Sequence, residues 1–135
     1  MKEIAQRVVD CKHWRWLPGM RALDSSGEEH PARVIDHRRS VVYEDNDGAI
    51  HEGVVSRSDV PDLTDPATLG CLLYLARRAW ADEGVAAVVA SYTFEFGYRW
   101  RVVGGHHHGS RFMAMSQQHF QTEAEALVKA LEAAP

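Results

Sequence analysis

The chain has 135 residues, of which 45% are hydrophobic and 25% are charged. This composition is that of one globular domain, long enough to bury a core but too short for two independent ones. The formal net charge of −4 at pH 7 gives no overall basic field, so any nucleic-acid binding would need a local patch.

The N-terminus and the cysteines predict a protein that is not exported. Charged residues interrupt the first ten positions, where a signal sequence would be apolar, and no apolar run reaches membrane-spanning length. Cys11 and Cys71 lie among apolar helical positions and lack the spacing of a redox or zinc motif. We therefore expect reduced thiols, a cytosolic location and no membrane partner.

The first half of the chain is predicted to form a helix and a small antiparallel meander. Apolar residues recur at helical spacing over residues 2–11, which indicates a short amphipathic helix. Turn-forming residues, including Asn46-Asp47-Gly48, then separate segments with strand-like patterns. The predicted strands cover residues 20–23, 32–37, 40–44 and 49–56.

Two further helices have sequence signals at their ends. Asp65 is placed to cap a helix over residues 65–83, Pro66 fits its first position, and Gly84 is expected to stop it. Near the C-terminus, Thr122 and Glu125 form a capping box before a second amphipathic helix.

Between these helices the hydrophobic period changes to two. Aromatic residues alternate with polar ones from Tyr92 to Trp100, as in a strand with one face in the core and the other in solvent. Residues 85–103 exceed the usual strand length of about 3–10 residues, so we expect a turn or bulge near Ala90-Ser91 or at Gly97. The sequence leaves undecided whether residues 85–103 form one strand or two. A long strand could leave an unpaired edge for dimer formation.

A histidine-rich segment, GGHHHGS at residues 104–110, joins this strand to a predicted returning strand over residues 111–116. We interpret it as the exposed connection of a β-hairpin that needs no cofactor. The alternative is a metal site, because His106 and His108 share one side of an extended segment and His119 could add a third ligand. That alternative corresponds to a metal-dependent hydrolase.

Two groups of residues are candidates for binding. Trp14 and Trp16 lie on one side of an extended segment with Arg15 opposite, which suits either an interface anchor or the core.

The second group is basic. Arg99 and Arg101 share one strand face, and Arg111 on the returning strand would extend them into a stripe that could contact an anionic ligand or partner. The alternative is an ordinary solvated strand face. Because the chain lacks the familiar catalytic and nucleotide-binding motifs, we do not expect an enzyme.

Three blocks of the chain are distinctive: CKHWRWLPGM, PDLTDPATLGCLLYLARRAW and TEAEALVKALEAAP. Together they resemble a group of small proteins encoded in tailed-phage and prophage genomes. The resemblance implies a viral accessory protein in the cytoplasm of a bacterial host, with no established catalytic or binding residues to carry over. The histidine segment lies outside the three blocks.

The order of elements after Thr64 superficially matches a double-stranded-RNA-binding domain. Such a domain needs lysines at the start of its last helix, whereas Glu123 and Glu125 stand there, so we expect no duplex nucleic-acid partner.

We therefore predict a single α+β domain with an antiparallel sheet and helices packed on one face. The predicted function is a stoichiometric binding module for a host protein or an anionic small ligand. Its target could be a bacterial defence system, either CRISPR or a nucleotide-signal system. A small virion or assembly component is the alternative.

Overall fold

A computed structural model describes residues 1–24 and 32–135. The chain forms two compact units, one of Met1–Val9 and Arg15–Cys71, the other of Asp10–Trp14 and Leu72–Pro135. Both units contain helices and antiparallel strands, so the predicted α+β class is confirmed. That the chain is one domain stays a prediction.

The first unit contains a helix and a five-stranded antiparallel sheet. Its elements are α1 (Lys2–Val9), β1 (Arg21–Leu23), β2 (Ala32–Val34), β3 (Ser40–Glu44), β4 (Ile50–Val54) and β5 (Val60–Pro61). The strand order is β4-β3-β2-β1-β5, so β1 to β4 form the predicted meander. β5, which was not predicted, pairs with β1.

A buried polar network stabilises the first unit at the predicted helix cap. Asp65 accepts hydrogen bonds from the Thr68 backbone N–H at 2.9 Å and hydroxyl at 2.8 Å, as an N-cap does. Arg33 from β2 donates two more, at 2.8 and 3.2 Å. Burial raises the pKa of Asp65, but the hydrogen bonds from Arg33 and Thr68 outweigh it, and the pKa lies below its ordinary value.

The second unit is built on a two-stranded antiparallel sheet and helices. Its elements are α2 (Pro66–Trp80), of which the first residues belong to the first unit, β6 (Ala86–Thr93), β7 (Gly97–Val103), α3 (Ser110–Ser116) and α4 (Glu123–Ala133). α4 lies against β6 and β7, and α3 lies against β7 and α4.

One predicted helix end and one predicted element type in this unit are wrong. α2 ends at Trp80 rather than before Gly84, because Ala81 turns into the left-handed region at φ 50°. The predicted returning strand over residues 111–116 is the helix α3, with Phe112 and Met115 buried at i, i+3 spacing.

The core of the second unit lies between the sheet and the helices. Trp80, Val102, Phe112 and the small residues of α4 form one buried cluster. The Trp80 indole N–H donates to the carbonyl of Ala130 at 2.7 Å, which satisfies its polar group. The predicted cap of α4 is confirmed, since Thr122 accepts from the backbone N–H of Glu125.

Cys11 and Cys71 are both free thiols and are half-buried. Within residues 1–24 and 32–135, no helix is long and apolar enough to cross a membrane.

Candidate functional site

β6 and β7 form an antiparallel hairpin with one irregularity and a short turn. The register shifts between Val89 and Ser91, which marks a bulge, and residues 94–96 form the turn before Gly97 at φ 67°. Breaks therefore occur at both expected positions, and residues 85–103 contain two strands.

The aromatic residues at the end of the hairpin are exposed, so the prediction that they face the core is wrong. Phe94 is 100% exposed, and Tyr92, Phe96 and Tyr98 are 55 to 61% exposed. Phe94 and Phe96 lie in the turn rather than in a strand. We call these four residues the aromatic tip.

The apolar face of the hairpin extends beyond the helices that cover it. Near the base, Val102 is buried, and Ala87 and Trp100 pack against the core cluster. Toward the turn, the exposure of the tip shows that none of the described elements covers it. The alternating pattern thus identifies the face that Tyr98, Trp100 and Val102 share, but only the half of that face near the base is core.

Three rings of the aromatic tip adjoin one another, whereas the Phe96 ring lies against Arg99. The Tyr92 ring centroid lies 5.0 Å from that of Tyr98 and 5.9 Å from that of Phe94. At their exposures Tyr92, Phe94 and Tyr98 together present about 430 Å² of surface. A contiguous patch of this size is comparable to the largest patch on a typical monomeric protein, which is often functional.

Two arginines follow the tip on the other face of β7. The guanidinium carbon of Arg99 lies 5.1 Å from the Phe96 ring centroid, a cation–π contact, and Arg101 is exposed. Arg111 lies on α3 rather than on a paired strand, so the predicted stripe of three arginines is wrong. Arg99 is thus in contact with the tip, and Arg101 lies farther along β7, opposite Val88.

The histidine loop, residues 104–109, is not the predicted hairpin connection, because it joins β7 to α3. A carboxylate holds it in place: Asp82 is only 2% exposed. Its Oδ1 accepts from the Gly84 N–H at 2.7 Å, and its Oδ2 accepts from Gly105 at 2.8 Å and His106 at 3.1 Å. The His108 Nε2 lies 2.7 Å from the same Oδ2.

His108 is enclosed by aromatic rings. Its ring centroid lies 5.3 Å from Trp80 and 5.0 Å from Phe112. The hydrogen bond from His108, followed by those from backbone N–H groups, holds the pKa of Asp82 far below its ordinary value despite the burial. Asp82 is therefore ionised at neutral pH, and the His108 Nε2 carries the proton that they share. A carboxylate–imidazole pair can orient a base; here it fixes the loop.

Of the three candidate metal ligands, His106 and His108 lie together, with ring centroids 5.8 Å apart. His106 is exposed, with its Nε2 3.8 Å from the Asp82 Oδ1, and His119 is exposed between α3 and α4. In the part of the chain that the structure describes, no group of three or more His, Cys, Asp or Glu side chains could hold a metal ion.

The Trp14-Arg15-Trp16 segment does not form an exposed aromatic pair. Trp16 is buried and Trp14 half-buried, and only Arg15 is exposed. The two tryptophans belong to different compact units. Of the two open interpretations, Trp16 fits the core.

No family model, no curated protein and no solved structure matches the chain. By its fold and site, the protein is an α+β protein with exposed aromatic residues at the end of one hairpin and a histidine loop held by hydrogen bonds to Asp82. Sequence reasoning missed Asp82. Its one local signal is the Asp82-Glu83-Gly84 string, in which an aspartate two residues before a glycine is typical of an Asx turn.

Proposed function

We propose that the protein is a stoichiometric binding module that covers a surface of a partner protein with its aromatic tip. The supporting observation is the exposure of four aromatic side chains at the end of one hairpin, three of which adjoin one another. Aromatic residues and arginine are enriched among the residues that dominate binding energy at protein interfaces. A hairpin fixed at its base by core packing presents them with little loss of conformational entropy on binding.

The side chains around the tip indicate the chemistry of the partner. Arg99 lies beside the Phe96 ring and Arg101 follows it two residues along β7, whereas the turn has a single acidic residue, Glu95. We propose that the partner offers an apolar pocket with an acidic rim, because complementary charge speeds association and fixes orientation. An anionic small ligand held by the same arginines is an alternative outcome of the test below.

From the resemblance to phage and prophage proteins, we propose that this activity takes place in the cytoplasm of a bacterial host. We propose that the partner is a host protein and that its occlusion alters a host process, such as a defence system of the CRISPR or nucleotide-signal type. No catalytic step is needed, since one bound copy blocks one partner. A virion or assembly component is the alternative role for the same tip.

The test compares two double variants in the infected host. Phe94→Ser with Phe96→Ser removes the two turn residues of the tip. Tyr74→Ser with Met113→Ser is the control, because these residues are 46% and 49% exposed outside the hairpin. Both double variants should keep the wild-type free energy of unfolding within about 1 kcal/mol, since exposed sites tolerate substitution. Tagged proteins are recovered from lysate and weighed by native mass spectrometry.

We expect the wild type and the control to carry one host protein at fixed stoichiometry. The tip variant should lose it, and the complex should re-form from the two purified proteins with an affinity at least about tenfold weaker for the tip variant. Equal binding by the tip variant, or a wild type recovered without partner, would contradict the proposal. A fixed copy number in purified particles would support the virion alternative instead.

A further inference from the structure

The outer edge of β6 has unpaired backbone groups. On the far edge of β7, the backbone N–H and C=O of Trp100 both bond to Phe120 at 2.8 Å. Val89, directly opposite Trp100, therefore exchanges no hydrogen bond with it, and its own N–H and C=O point away from β7. Ala87 lies two residues before Val89, so its backbone N–H and C=O also point away from β7. Among the described residues these groups have no hydrogen-bond partner.

Over Ala86–Val89, before the bulge, this edge also lacks the charges and the proline that usually prevent strand pairing. The eight residues of β6, AAVVASYT, include no charged residue and no proline. Natural edge strands are commonly short or carry charges, proline or a cover. The edge strand of the other sheet, β4, follows that rule, with Glu52 and His51 exposed within it. The β6 edge is therefore suited to accept another strand.

We propose that β6 pairs antiparallel with β6 of a second copy of this chain. In a two-fold pairing each residue meets itself or its symmetry mate, so any charge near the axis would face a like charge, which is destabilising. β6 carries no charge in any position. If β6 instead bound a charged strand of another protein, we would expect β6 to carry residues of the opposite charge.

The alternation of β6 sets the register of this pairing. The outward groups of Ala87 and Val89 of one copy bond to those of Val89 and Ala87 of the other. Val88 then faces its own mate across the axis, in a pair without hydrogen bonds, where Cα atoms are about 4.5 Å apart. The bulge after Val89 twists the strand away, so pairing stops before Tyr92 and the aromatic tip stays exposed.

The first test measures the association state by sedimentation equilibrium. The wild type is expected to dimerise in the micromolar range, and Val89→Lys should weaken the dimer at least about tenfold by placing two like charges beside the axis. Met113→Lys is the matched control, since Val89 and Met113 are both 49% exposed apolar residues. It should dimerise like the wild type. A monomeric wild type, or a Val89→Lys variant that dimerises normally, would overturn the proposal.

The second test does not depend on weakening the edge. In a Cys11→Ser, Cys71→Ser background, Val88→Cys should form an intermolecular disulfide on mild oxidation, because the mates in such a pair lie within disulfide range. Met113→Cys should not. Failure of Val88→Cys to crosslink, or its crosslinking to a host protein instead, would overturn self-pairing.

The dimer does not rest on the proposed function, and the variants separate the two. The Phe94→Ser, Phe96→Ser protein should dimerise normally while losing its host partner. Val89→Lys should keep the host partner while losing the dimer.

Discussion

At the scale of single residues, the least substitutable side chain in the described part of the second unit is a buried carboxylate. Asp82 receives three backbone N–H bonds and one from His108. Through them it links the end of α2 to the histidine loop, residues far apart in sequence. Without the carboxylate these donors, which lie at the partly buried edge of the site, would lose their hydrogen-bond acceptor.

Replacing this carboxylate tests its structural role. Asp82→Asn keeps the shape but places an amide N–H₂ among donors and removes the charge, so we expect a loss of about 2 to 4 kcal/mol in the free energy of unfolding. Glu83→Gln, an exposed neighbour, should change it by less than about 0.5 kcal/mol. Urea unfolding at neutral pH measures both. A loss for Asp82→Asn below about 1 kcal/mol would contradict this account of the loop.

The lowered pKa of Asp82 makes its contribution depend on pH. The folded state holds the proton more weakly than the unfolded state, where an aspartate has a pKa of about 3.9. The stabilisation is therefore present in full above that value and is lost as the pH falls toward the folded-state pKa. Asp65, with a pKa also lowered, adds a slope of the same sign.

The corresponding experiment compares unfolding midpoints in urea at pH 7 and pH 3. The difference between the wild type and Asp82→Asn should shrink at pH 3, whereas Glu83→Gln should follow the wild type. A difference that stays constant across this range would show that the charge of Asp82 is not what stabilises the fold.

At the scale of elements, the parts that sequence predicted best have local signals. The meander, the cap at Asp65 and the cap at Thr122 depend on neighbouring residues, and the structure has all of them. α3 was predicted as a strand although Phe112 and Met115 have helical spacing, because seven residues are too few for a period to stand out.

The site was predictable only in part, because the exposure of the aromatic tip and the fixing of the histidine loop by Asp82 both depend on long-range contacts. Alternation placed the aromatic residues on one face but carried no information on where the covering helices end. The pairing of Asp82 with His108 spans 26 positions, and no periodicity reports such a contact. The sequence therefore placed the breaks of the hairpin but not the exposure of its tip.

The histidine loop tolerates only glycine where the chain approaches the carboxylate. A Cβ on Gly105 would lie 2.7 Å from the Asp82 Oδ1 and 3.2 Å from the Gly84 Cα. Gly105→Ala should therefore cost about 1 to 3 kcal/mol, as overpacking does. Gly70→Ala, with open space around its Cβ in α2, should stabilise by about 0.5 to 1 kcal/mol. Thermal unfolding checks both, and a neutral Gly105→Ala would contradict the close approach.

At the scale of the whole molecule, the chain is acidic, but its β6–β7 hairpin carries exposed aromatic residues and two arginines. The net charge is −4, yet the hairpin places Arg99 and Arg101 against one glutamate. A uniform acidic surface would keep such a protein away from acidic partners. The hairpin is the part of the described chain through which attraction to an acidic rim and burial of aromatic rings can act together.

The most direct test of this account places a photo-crosslinking benzoylphenylalanine at Phe94 during infection of the host. The reference position is Tyr74, which is exposed outside the hairpin. The account predicts one discrete adduct between position 94 and a single host protein, and none from position 74. No adduct at position 94, an adduct only with particle proteins, or the same adduct from both positions would contradict it.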